Sequence, residues 1–307
     1  MTNWTAFFDG IVTERQIKEN EPMSHHTTYG IGGAADVFVT PQNEEELVQI
    51  LKKASAAAVP VTVIGGGSNC LVRDGGIRGI TLCMLRMKPS ILKKDNHIIA
   101  SGGAGTGPAA RFAWKEHLSG LEWAVGIPGT ICGAAFMNAN GYGGRMADVV
   151  RSVRCVTRDG AQFRKWSLRD IAYGASDSLF MKNGDIVLEV DMELHPDDPQ
   201  EIQNRMNAYQ QSRREKQPLD KRSAGTMFLR PPGHYVGPMI KACGLMGFAV
   251  GDAQVSLKHP DFVVNNGHAT CSQVLAVLHE VQKRVQEKYH VYVPLDVRIL
   301  GEDKTGG

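Results

Sequence analysis

Apolar residues recur at helical spacing in two stretches of the chain and alternate with polar ones in several shorter stretches. After Asn43, three glutamates precede Leu47, Ile50, Leu51 and Ala54, which share one face of a 3.6-residue period. Asn43 can cap this helix, and the glutamates favour its positive end. Near the C-terminus, Thr270 and Gln273 form a capping box ahead of Val274, Val277, Leu278, Val281 and Val285. A polar helix is predicted over 202–214, ending before Pro218. Pro108 suits the first turn of a helix carrying Ala109, Phe112 and Ala113. Short strands are predicted at 61–64, 71–72 and 98–100. Residues 153–156 and 163–166 flank Asp159-Gly160, a hairpin signal. Residues 186–194 alternate apolar and acidic side chains, as a half-exposed strand does, and 291–300 close the chain as a strand. Strands and helices mix without a regular β-α-β rhythm, so the fold class is α+β.

Composition narrows the function. Lys plus Arg is 34 and Asp plus Glu is 32, a net charge of +2. Nucleic-acid binding would require a strongly basic face, so no nucleic-acid partner is expected. No apolar run approaches the length of a membrane span, and no basic, then apolar leader opens the chain, so a cytoplasmic protein is expected. Cys70, Cys83, Cys132, Cys155, Cys243 and Cys271 form no C-x-x-C pair. They read as reduced, mostly buried thiols, and no metal site is expected.

Glycine is the anomaly. The chain has 34, well above the usual share of about 7%, and 17 of them lie between Gly65 and Gly144. Three loops carry them. Gly65-Gly-Gly-Ser-Asn69 follows a strand and leaves two readings open, an anion-binding concavity or a hairpin tip. It fails as a Rossmann loop, because Cys70 stands at the third glycine position. Ser101-Gly-Gly-Ala-Gly-Thr-Gly107 leads into a helix whose first N–H groups can meet a phosphate. Gly126-Ile-Pro-Gly-Thr130 is a rigid turn with exposed backbone, and with Gly133-Ala-Ala it permits a planar ring to lie against the main chain.

The order of motifs carries a resemblance. His26-Thr-Thr-Tyr-Gly-Ile-Gly-Gly33, Ile64-Gly-Gly-Gly-Ser-Asn69, Gly126-Ile-Pro-Gly-Thr130, Lys216-Gln-Pro218, Ser223-Ala-Gly225 and Val255-Ser256 follow one another. Over roughly Pro22 to Gly301 the chain resembles the UDP-N-acetylenolpyruvoylglucosamine reductase (UDP-N-acetylmuramate dehydrogenase) family, in its shorter form. The resemblance implies an FAD-binding fold of the vanillyl-alcohol-oxidase (PCMH) type in two subdomains, 1–86 (completed by 294–307) and 87–222, with a smaller α+β substrate domain at 223–293. It implies FAD as cofactor and NADPH as electron donor, with reduction of the UDP-sugar enolpyruvyl ether to UDP-N-acetylmuramate in peptidoglycan synthesis. A small-molecule substrate and a monomer follow. Implied cofactor-binding residues are Tyr29, Gly65, Gly66, Gly67, Ser68, Asn69, Gly103, Gly126, Ile127, Pro128, Gly129 and Thr130. Tyr173, Lys216, Gln254 and Ser256 are implied for substrate, with Lys216 the member of a basic cluster (Arg213, Arg214, Lys221, Arg222) that aligns with a family position. His26 is read as a structural residue.

Four positions depart from the family's pattern. Its proton-donor serine is Thr226 in Ala224-Gly-Thr-Met-Phe-Leu-Arg-Pro231, and its C-terminal glutamate is Asp296 in Pro294-Leu-Asp-Val-Arg298. Its arginine in Tyr-Arg-x-Ser is Gly174 here, and Arg230 is an arginine gained. Thr226, Asp296 and Arg230 are therefore the candidate catalytic residues, with Arg230 replacing the lost guanidinium. Two alternatives remain: a diverged paralogue that reduces another unsaturated acid, and a catalytically silent FAD-binding module.

Overall fold

The helix expected after Asn43 runs Glu44–Ala56 in the computed structural model of the chain, which describes residues 2–304. Asn43 Oδ1 accepts the Glu46 N–H at 2.9 Å, and Leu47, Ile50, Leu51 and Ala54 are fully buried. Each large apolar side chain buried here contributes about 2 kcal/mol. The chain divides into two compact units.

The first unit comprises Met1–Glu19, Val37–Gly66 and Gly79–Ser212. Its largest sheet is antiparallel, in the order Phe163–Ser167, Val150–Val156, Ile186–Glu193, His97–Ser101, Ser90–Lys94. The predicted hairpin is present: Val153 faces Trp166 and Val156 faces Phe163. Gly160 takes the left-handed conformation of the turn, φ +71°. Strand Ile186–Glu193 is more enclosed than its alternation predicts, because it is central in the sheet and Ile131–Met137 lies against it; Ile186, Val187 and Leu188 are all buried. Alanines 109, 110, 113, 134 and 135 in this core let helices approach closely. A second sheet pairs Val61–Ile64 with Ile77–Cys83 in parallel, over the apolar face of Glu44–Ala56. Glu122 is buried in this unit, accepting from Ser119 Oγ at 2.7 Å and the Gly120 N–H at 2.8 Å, and pairing with Arg205 at 2.9 Å.

The second unit comprises Asn20–Asp36, Gly67–Arg78 and Arg213–Gly307. Its long helix, Cys271–Tyr289, has the predicted Thr270–Gln273 capping box. Asp74 completes the cap: its carboxylate accepts the Cys271 and Ser272 N–H groups at 2.8 and 2.9 Å. Val274, Val277, Leu278, Val281 and Val285 pack under the small sheet Ala249–Val250, Ala253–Val255, Val263–Asn265. Residues 291–300 are not one strand. Only Arg298–Leu300 is, paired in parallel with Cys70–Val72. Pro294 has no N–H to continue a ladder, so 294–296 bond sideways to 227–229 instead.

The polar helix runs Pro199–Lys216, a few residues longer at each end than expected. All six cysteines are free, and burial pushes the Cys70 thiol up to about 11. Among the described residues no helix is long and apolar enough to cross a membrane.

Candidate active site

In the first unit the glycine loops meet main chain to main chain. A Cβ on Gly66 would stand 3.0 Å from the Gly129 Cα, and one on Gly65 3.0 Å from Thr130 Oγ1. Gly129 is left-handed, φ +111°, and its carbonyl accepts the Thr106 N–H at 3.2 Å. The Thr106 hydroxyl donates to the Ile127 carbonyl, so the Gly126–Thr130 turn is fastened to the first residue of helix Thr106–Lys115. Gly105 offers that helix no side-chain cap. Gly103 packs against the preceding turn, its N–H donating to Met87 at 3.0 Å. Thr130 is buried and caps Ile131–Met137, its Oγ1 accepting the Gly133 N–H at 3.1 Å.

In the second unit the loop continues. Gly67 is left-handed, φ +62°, and a Cβ there would lie 2.0 Å from the His26 carbonyl. Asn69 donates its side-chain amide to the Asp296 carbonyl at 3.1 Å and accepts the Arg298 N–H at 3.0 Å. His26 is held by Glu21 at 2.7 Å.

These residues fit FAD. Gly65, Gly66 and Gly129 leave a Cβ-free main chain where the two loops meet, which a pyrophosphate or a flat ring requires. Tyr29 is a correction. Its side chain is fully buried in the core of the second unit and donates its hydroxyl to Val263 at 2.8 Å, so no cofactor can reach it.

Of the candidate catalytic residues of the second unit, Thr226 and Arg230 lie on one irregular segment and Asp296 on a segment bonded to it. Thr226, half-buried, bridges to Phe262, and Phe228 bridges to Leu295. The Asp296 N–H donates to the Met227 carbonyl at 2.9 Å. Gly225 is left-handed, φ +84°, with open space where a Cβ would point. Arg230 is exposed: its Nε donates to the His234 carbonyl at 2.9 Å and its guanidinium lies 3.6 Å from the Tyr235 ring centre.

The expected substrate residues differ in availability. Tyr173 has a buried hydroxyl with no partner among the described residues, and burial pushes its phenol well above the usual range. Lys216 ends its helix exposed. Gln254 is half-buried and engaged, donating to Gly247 and accepting from Asn266. Ser256 is a correction: it is buried, and its hydroxyl oxygen accepts the Lys258 and His259 N–H groups at 3.0 and 3.2 Å. It organises a turn and lines no surface. Two groups escaped the sequence reading. Gln217 has a buried side-chain oxygen without a partner among the described residues, and the Asp261 carboxyl packs against the Thr226 strand. Gln217 lies inside the quoted Lys216-Gln-Pro218 and Asp261 outside every quoted motif, and neither residue type signals its burial.

Comparison with known proteins joins these observations. Residues 35–164 match the FAD binding domain family, and residues 217–300 match the C-terminal domain of UDP-N-acetylenolpyruvoylglucosamine reductase. The reductase of Geobacillus thermodenitrificans is 41% identical over 95% of this chain and 96% of its own length. That of Listeria innocua is 41% identical over 99% of this chain and 100% of its own. The solved reductase of Thermus caldophilus superposes with a TM-score of 0.76 at 32% identity, covering 91% of this chain and 97% of that one. A VAO-type flavoprotein from Myceliophthora thermophila, at 15% identity and a TM-score of 0.51 over 64% of this chain and 47% of its own, shares the fold. The chain is an α+β flavoprotein, and it belongs to the UDP-N-acetylenolpyruvoylglucosamine reductase family.

Proposed function

We propose that this chain reduces UDP-N-acetylglucosamine enolpyruvate to UDP-N-acetylmuramate for peptidoglycan synthesis, with NADPH as electron donor, as a cytoplasmic monomer. FAD binding is assigned to 1–86 with 294–307 and to 87–222, and substrate binding to 223–293. When bound, FAD would supply the hydride-transfer chemistry between NADPH and the enolpyruvyl double bond. Gly65, Gly66, Gly67, Ser68, Asn69, Gly103, Gly126, Ile127, Pro128, Gly129 and Thr130 hold it. The Tyr173 hydroxyl and the Lys216 ammonium are assigned to the UDP-sugar, the ammonium to its diphosphate.

Hydride addition beside a carboxylate builds enolate charge, which needs a facing cation and a proton. Arg230 is assigned the countercharge. The Thr226 O–H bond breaks as the product C–H bond forms, and solvent returns the proton to Thr226. Asp296 is the second catalytic group. The observation that carries this reading is the 2.9 Å bond from the Asp296 N–H to the Met227 carbonyl, which aligns two segments that are distant in sequence.

Anaerobic stopped-flow tests it. The yellow protein should bleach with NADPH and regain colour with the UDP-enolpyruvyl sugar. Bleaching without recovery points to another unsaturated acid, and failure to bleach to a silent module.

A further inference from the structure

The Thr226 strand is gripped on both edges by an aspartate. On one edge Asp296 donates its N–H to the Met227 carbonyl at 2.9 Å. On the other, the Asp261 carbonyl accepts the Met227 N–H at 3.0 Å, and its carboxyl Oδ1 accepts the Phe228 N–H at 3.3 Å. Met227, next to Thr226, is thus bonded to both aspartates, one through each main-chain group. Nothing assigned above uses the Asp261 carboxyl.

Few charges face it. Residues 224–229 contain no ionisable side chain. Asp296 acts on it from the strand on the far side. From its own turn, His259 accepts the Asp261 N–H at Nδ1, 3.3 Å away, and burial keeps that imidazole neutral. Lys258 turns away to the Arg214 carbonyl at 2.6 Å. Burial pushes the Asp261 carboxyl up to about 8; the Met227 and Phe228 N–H groups oppose the rise and the Asp296 charge adds to it. Near neutral pH Asp261 is therefore a protonated acid.

We propose that Asp261 is a positioning residue for proton delivery, fixing the main chain beside Thr226. This rests on the assignment of Thr226 and Asp296 above. When Asp261 ionises, a second negative charge joins the Asp296 carboxyl that already acts on it. The anionic substrate and its enolate then meet a second negative charge, which opposes the transition state. Substrate reduction should slow as the pH passes the Asp261 ionisation.

The test is single-turnover reoxidation of the NADPH-reduced, FAD-loaded enzyme by the UDP-enolpyruvyl sugar. The wild-type rate should fall about tenfold between about pH 7 and about pH 9. Asp261→Asn keeps an acceptor oxygen for Phe228 but cannot ionise, and it should lose this fall. Asp261→Ala should be slower at every pH. A fall of equal size in Asp261→Asn overturns the proposal. If neither variant folds, carbon-13 NMR of the wild-type aspartates decides: a carboxyl titrating near 8 that shifts in Asp296→Asn supports it, and none overturns it. A Thr226→Ala enzyme as fast as wild type removes the underlying assignment and the proposal together; the Thr226 variant, not the Asp261 one, then gives the telling result.

Discussion

Asn138 donates its side-chain amide to the Gly174 carbonyl at 2.7 Å, while its Oδ1 accepts the Ala147 N–H at 2.9 Å. Gly174 also donates its N–H to the Asp177 carbonyl at 3.0 Å. The stretch where the family carries an arginine is thus held through main-chain atoms. An arginine restored there keeps those bonds, and its Cβ would lie 3.2 Å from the Asp177 Cβ. Gly174→Arg should fold, at a cost of about 1 kcal/mol.

That supports a paired test of Arg230. Arg230→Ala should slow substrate-driven flavin reoxidation by at least about 100-fold, with FAD still bound. Adding Gly174→Arg to that variant should recover at least about tenfold. Normal reoxidation in Arg230→Ala, measured by stopped-flow, would return Arg230 to being a surface charge stacked on Tyr235.

Thr226→Ala should lower the reoxidation rate by about 100-fold or more, while reduction by NADPH proceeds as in wild type. Thr226→Ser, which keeps the hydroxyl and drops the methyl, should retain most of the rate. Equal loss in both variants would show that the methyl, not the hydroxyl, matters.

Gly66→Ala tests the cofactor loop. Its Cβ would meet the Gly129 Cα at 3.0 Å, so one loop must shift. A stability loss of about 1 kcal/mol and weaker FAD retention on gel filtration are expected; undiminished retention would place the cofactor elsewhere.

Tyr29→Phe should cost about 1 kcal/mol through the lost bond to Val263 and leave the FAD dissociation constant unchanged. A changed constant would reinstate Tyr29 at the cofactor.

Glu122 gives a pH-dependent prediction. Burial alone would push the Glu122 pKa up, but bonds from Ser119, the Gly120 N–H and Arg205 outweigh that and hold its carboxyl below the usual range. The folded value therefore lies under the unfolded one, about 4.3. The stabilisation is present above that pH and is lost as the pH falls from there through the lower folded value. Arg205→Ala should cost about 2 kcal/mol near neutrality, and the gap in melting temperature should narrow toward about pH 3. A constant gap would remove Glu122 as the cause.

Local rules carried far. The caps at Asn43 and Thr270, the strand 61–64 and the turn at Gly160 follow from spacing and glycine alone, and all are present. What escaped the sequence depends on distant partners. Tyr29 is committed to a carbonyl 234 positions away. Ser256 reads as a pocket residue, yet its hydroxyl is spent on N–H groups two and three residues on. Residues 291–300 look extended, but the strand at 227–229 that takes their bonds is brought by tertiary packing. Asp261 follows His-Pro and resembles any surface turn acid until Phe228 is placed over it.

Asp74 seals the start of a helix that begins 197 positions later in the chain. The consequence concerns synthesis. Residues 20–36 and 67–78 leave the ribosome long before Cys271–Tyr289 exists, so they must wait while 79–212 emerges. Strand Cys70–Val72 waits longer still, for Arg298–Leu300. Such non-local closure is slow, and it delays the second unit's assembly until residues 271–300 have been made. A nascent chain halted before residue 298 would carry Cys70–Val72 as an unpaired, aggregation-exposed strand.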